Sequence, residues 1–128
     1  MAVLAEDLVF DKKAQLEKIE DICLPEEVIR AVFDLKGVGS GFIGITDKRI
    51  IFYDKAFLKG QKAMVSIPYN RITSIGSEDN KGLLIRKGFL VSDKLTICAQ
   101  GMEFKVFEFR GGDKAHLAHR LMMENLLK

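Results

Sequence analysis

The chain has 128 residues, 48% of them hydrophobic and 30% charged, with 20 basic against 18 acidic side chains. That length suits one hydrophobic core, no segment is polar enough to require disorder, and no apolar run approaches the roughly 20 residues of a membrane-spanning helix. A formal net charge of only +2 excludes a dedicated nucleic-acid binder, which concentrates a larger basic excess on one face.

Met1 to Phe10 lacks the basic start, long apolar centre and small-residue cleavage site of a secretory signal, so a cytoplasmic protein is expected. Asp11 is a plausible N-cap for a helix over Lys12–Ile22, where Leu16, Ile19 and Cys23 recur at helical spacing, and Pro25 ends it. Cys23 and Cys98 are the two cysteines, read as small buried apolar groups and not as a disulfide. From Val28 the periodicity becomes alternating. Val28–Leu35 reads as a strand covered on both faces. A glycine-rich turn at 37–41 leads into Phe42–Thr46 and Arg49–Tyr53, two β-branched and aromatic strands joined through Asp47-Lys48 at hairpin spacing.

Asp54–Lys62 reads as a lysine-rich connection, Ala63–Ile67 as a strand stopped by Pro68, and Ile72–Gly76 as the next strand. Within 79–92, turn chemistry at Asp79–Gly82 competes with strand chemistry at Leu83–Ile85, so this stretch reads as an irregular excursion. Leu95–Ala99 and Phe104–Phe109 form another hairpin across Gln100-Gly101. Gly111-Gly112 breaks the last strand, Asp113 can cap a C-terminal helix, and Ala115, Ala118, Met122 and Leu126 make the inward stripe of that helix. These elements describe a mainly β protein: a small barrel or sandwich of about seven antiparallel strands, closed at one end by the helix. The expected core is Phe33, Ile43, Ile45, Ile51, Phe52, Val65, Ile97, Val106, Phe107 and Met122.

The run Gly44-Ile45-Thr46-Asp47-Lys48-Arg49-Ile50-Ile51-Phe52-Tyr53 resembles the second and third strands of bacterial pleckstrin-homology (PH) domains, whose hairpin carries a Thr-(Asn/Asp)-Lys-Arg corner. Two further pieces agree in order and spacing, Ser66–Ser74 and Phe107–Asp113 leading into a helix. The resemblance covers about Glu26 to Leu127. It implies a PH-like domain over 26–128, preceded by a helical segment over 1–25, and a binding module with no reaction of its own. Read from the residues alone, Asp47 folds back on the turn amides while Lys48 and Arg49 leave the sheet toward water.

His116 and His119 stand three apart but lack a third ligand at suitable spacing, so no metal is expected. The glycines of 37–41 lead into a strand and not into a helix N-terminus, which removes the dipole of a phosphate cradle. No nucleophile or carboxylate pair sits in an activating arrangement, so neither catalytic residues nor a cofactor are expected. The better candidate is basic: Lys36, Lys55, Lys59 and Lys62 fall on loops at the barrel end opposite the helix, where the resemblance places phosphoinositide contacts. Arginine is missing there. On the C-terminal helix, Leu117 and Leu121 lie outside the inward stripe, and Val3, Leu4, Leu8, Val9 and Phe10 also seek cover. The sequence thus leaves two expectations: a homo-oligomer that presents a barrel end to a protein partner, or a peripheral module that holds anionic lipid at the inner face of the membrane through its lysines.

Overall fold

The computed structural model describes residues 2–36, 41–58, 61–78, 93–101, 105–109 and 114–127. Five strands, β1 (Val3–Phe10), β2 (Val28–Asp34), β3 (Phe42–Thr46), β4 (Arg49–Leu58) and β5 (Gln61–Pro68), form one sheet in that order. After a single 3-10 turn at Tyr69–Arg71, β6 (Ile72–Glu78), β7 (Asp93–Ala99) and β8 (Lys105–Phe109) form a second. The helices are α1 (Lys13–Ile22) and α2 (Ala115–Leu126). The seven expected antiparallel strands are β2 to β8. The two sheets do not close into a barrel; they form a sandwich, with Leu35 bridging to Phe109 where β8 meets the end of β2.

One strand has no counterpart among the expected elements. The apolar N-terminus, expected only to seek cover, adds β1 to the sheet edge parallel to β2. Its chain then crosses back through α1, the connection that a parallel neighbour requires. β1 takes the edge of β2 from Val28 to Val32, and the Leu35–Phe109 bridge lies beyond it. A second difference concerns Asp54–Lys62: β4 and β5 continue through most of it as a longer hairpin, paired Asp54 to Ala63 and Leu58 to Gln61. The irregular excursion at 79–92, Phe104 and the expected cap Asp113 lie outside the described residues.

The large sheet is covered on both faces. On one, Leu16 and Ile19 of α1 pack with Ile29, Val32, Phe42, Ile51 and Tyr53. On the other, Phe33, Ile43, Ile45, Ile50 and Ile67 meet Leu95, Ile97, Phe107 and Phe109 of the small sheet and Ala118, Leu121 and Met122 of α2. Gly44 is where α1 crosses β3, since a Cβ there would stand 2.9 Å from Ile19 Cδ1. Of the expected core, Phe52 and Val65 are partly buried and Val106 is 49% exposed. Val106 pairs with Thr96 while Phe107 faces Leu95, so the alternation of β8 turns Phe107 inward and Val106 out. Leu121 is 4% exposed and Leu117 packs partly against the same core. The expectation that both lie off the inward face is corrected: α2 is embraced by β6, β7, β3 and the 3-10 turn, so its apolar stripe is wide.

Candidate functional site

The sequence reads the Thr46–Arg49 corner as turn chemistry with its basic residues in water, and the structure corrects half of that. Thr46 Oγ1 accepts the amides of Lys48 and Arg49 at 3.0 and 3.1 Å, closing the turn. Asp47 Oδ1 accepts the Val28 amide at 2.9 Å and so ties the turn to β2. Arg49 does not leave for water. Its Nε and Nη2 grip the two oxygens of Glu27 at 3.0 Å each, its Nη2 also donates to the Ile22 carbonyl at 3.1 Å, and its Nη1 donates to Ser66 Oγ.

Glu27 is 1% exposed. Burial alone would push its carboxyl up, but hydrogen bonds from Arg49, from Thr46 Oγ1 and from the Leu24 amide, with the Arg49 charge, hold it down at about 2. Below the turn, Tyr69 donates its hydroxyl to the Thr46 carbonyl at 2.6 Å, and Asn125 of α2 donates to the Leu121 carbonyl at 2.9 Å and to the Thr46 carbonyl at 3.4 Å. The corner therefore knots α1, β2, the hairpin and α2 together. Sequence reasoning missed Glu27; its signal was an acid at the very start of the apolar run of β2, ahead of a corner that carries an arginine. Burial, then the neighbouring Glu27 charge, pushes the Cys23 thiol up to about 12, which leaves it unreactive.

A second polar cluster rivets the seam between the sheets. Asp11 does not cap α1: its Oδ2 accepts the Asp34 amide at 2.8 Å and its Oδ1 accepts Lys114 Nζ at 2.6 Å. The buried Asp93 accepts the Lys114 amide at 2.9 Å, capping the start of α2 from β7. Gln15 donates to Asp34 at 2.7 Å. Elsewhere, Ser77 Oγ of β6 lies 2.7 Å from Nδ1 of both His116 and His119, so the two histidines fasten α2 to β6.

The basic residues are partly brought together. Lys36 is half-buried beyond β2, its amide bonded to the Glu108 carbonyl at 2.8 Å. Lys55 and Lys62 occupy neighbouring positions on β4 and β5, next to the Asp54–Ala63 pair, and Lys59 lies outside the described residues. β8 runs antiparallel to β2 at the Leu35–Phe109 bridge, which sets its first residue, Lys105, past the end of β2 on the side of Lys36. The sequence marks Lys105 only as a strand position; the register of β8 against β2 was the signal, and one sequence does not carry it.

This two-sheet sandwich with a C-terminal helix is a PH-like architecture. The sequence matches the bacterial PH domain family over residues 17–114, and the chain belongs to that family. Among solved structures, the pleckstrin homology domain from Shewanella amazonensis SB2B aligns with a TM-score of 0.60 at 22% identity, over 92% of this chain and 90% of that one. The C-terminal domain of an unknown protein from Leishmania infantum aligns with a TM-score of 0.48 at 16% identity, over 91% and 94%. No curated protein matches the chain.

Proposed function

We propose that the chain is a non-catalytic cytoplasmic binding and assembly module that self-associates and presents the lysine-bearing end of its sandwich to a protein partner. Family membership supports a binding module in general. Around the corner and the seam, the polar groups with the closest contacts are engaged in holding elements together: Glu27 with Arg49, Asp11 with Lys114, Asp93 with the start of α2. They are the mortar of the fold, and the thiol beside Glu27, that of Cys23, is pushed up to about 12 and is unreactive.

The observation that carries self-association is exposed apolar surface on β1, where Val3, Leu4, Val9 and Phe10 stand 39–47% exposed. This surface replaces Leu117 and Leu121, whose partial and full burial makes them part of the subunit's own core. Light scattering after size exclusion tests the reading. The wild type should run above its 14.4 kDa subunit mass, and Val9→Lys with Phe10→Lys should lower that mass while leaving the fold intact. An unchanged mass in a folded variant would remove β1 from the interface.

A second reading, recruitment to anionic lipid, has its own support in Lys36 and Lys105 at one end with the Lys55–Lys62 hairpin. Each lysine near an anionic surface contributes about 1 kcal/mol, so three give weak, salt-sensitive binding and no headgroup specificity. Among the described residues no helix is long and apolar enough to cross a membrane. The assembly reading expects no sedimentation with anionic liposomes at moderate salt. Salt-sensitive sedimentation lost in Lys55→Glu, Lys59→Glu, Lys62→Glu would favour the lipid reading.

A further inference from the structure

We propose that β1 is an exchangeable arm whose second docking place is the same β2 edge on another copy of the chain. This inference rests on the self-association reading and names its interface. No residue of β1 is buried: Ala5 and Leu8 are half-buried and the other six are exposed. Its ladder to β2 has four paired positions, interrupted between Leu4 and Val9, where five residues of β1 span the length of two on β2. Such a strand lies at the low end of local stability.

The point where it joins the body is the opposite. Asp11 donates its amide to the Val32 carbonyl at 3.1 Å, accepts the Asp34 amide at 2.8 Å and accepts Lys114 Nζ at 2.6 Å. A loosely held strand thus swings from a riveted hinge, and α1 beyond the hinge stays buried through Leu16 and Ile19.

What β1 leaves behind is an apolar edge, with Ile29, Ala31 and Val32 fully buried while it is in place. The occupant that fits this edge is β1 itself. Taken from a second copy, it restores the Val3 amide to Glu27 carbonyl bond of 2.9 Å, the Asp7–Arg30 ion pair of 3.6 Å and the cover that Ala2 and Leu8 give to the α1 side of the core. Because the arm crosses between copies at Phe10–Asp11, reciprocal exchange closes a twofold dimer whose junction runs past the exposed Val9 and Phe10. Simple edge-to-edge pairing of two β1 strands is disfavoured, because the exposed Glu6 and Asp7 at the strand centre would meet their own copies.

The test uses the register partners Val3 and Val28, changed as Val3→Cys with Val28→Cys in a chain carrying Cys23→Ser and Cys98→Ser. Oxidation at rising protein concentration, read on a non-reducing gel, should give a covalent dimer whose share grows with concentration. A glycine insertion between Phe10 and Asp11, which slackens the hinge and lets the arm fold back on its own subunit, should lower that share. If the cysteines fold poorly, the same insertion in the wild-type chain should shift the light-scattering mass downward. Intrachain disulfide alone in a chain that remains oligomeric overturns the exchange and leaves the assembly reading standing. A wild-type monomer at every concentration overturns both.

Discussion

Arg49→Met isolates the buried carboxylate at the corner. It removes both 3.0 Å bonds to Glu27 and leaves a carboxylate that is 1% exposed on neutral donors, Thr46 Oγ1, the Leu24 amide and the Cys23 thiol. Two routes give the magnitude. The folded carboxyl at about 2 against an ordinary 4.5 corresponds to about 3 kcal/mol at neutral pH, at 1.36 kcal/mol per pH unit, for all of its partners together, Arg49 first among them. Breaking a buried pair by removing one partner costs about 3–5 kcal/mol. The two agree, and the loss is a large share of the ~5–15 kcal/mol of a domain this size.

The same carboxyl sets a pH signature. Because its folded value is depressed, its contribution is fully present above about 4.5 and is lost as pH falls toward about 2. Urea unfolding followed by circular dichroism at pH 7 and at pH 3 reads both effects. Arg49→Met should lose about 3 kcal/mol at pH 7 and less at pH 3, where Glu27 can protonate. Glu27→Gln should flatten the acid branch of the profile. A loss below about 1 kcal/mol at pH 7 would show that Glu27 does not depend on Arg49 in the fold, since only solvent-exposed pairs are that weak.

Other substitutions test the packing. Phe107→Ala, which removes a ring 4.9 Å from that of Phe52, should cost about 3–5 kcal/mol in the same unfolding assay, whereas Val106→Ala on the outer face should stay within about 0.5 kcal/mol. Gly44→Ala should lose about 1–3 kcal/mol by pushing α1 off β3, and Ile19→Val, which removes the atom 2.9 Å from the new methyl, should recover part of it. Glu26 sits at φ 67°, a conformation that strains any residue with a Cβ, so Glu26→Gly should raise stability by up to about 1 kcal/mol. Leu121→Lys should unfold the chain, seen as loss of far-ultraviolet signal, and should not yield a folded monomer.

The antiparallel strands were legible because each of Phe42–Thr46, Arg49–Tyr53 and Leu95–Ala99 carries its own β-branched pattern and is punctuated by turn residues. The helices were legible from spacing. What escaped was decided by long-range partners. Asp11 stands where an N-cap belongs, yet it serves Asp34 and Lys114, and nothing local distinguishes the two uses. Val3–Phe10 alternates poorly and none of its residues is fully buried, so its strand character comes from the edge of β2 and not from its own pattern. Leu121 looked surplus on a one-sided helix; the wide contact of α2 with three strands and a turn absorbs it. Of the candidate site, the corner motif was visible but its meaning was not, because Glu27 lies 22 positions from Arg49 in the chain.

Sedimentation velocity over a wide concentration range, with and without anionic vesicles, separates self-association from recruitment to lipid. An assembling chain gives species heavier than the 14.4 kDa subunit, growing with concentration and indifferent to vesicles at moderate salt. A single 14.4 kDa species at every concentration, carried down with the vesicles, would contradict self-association.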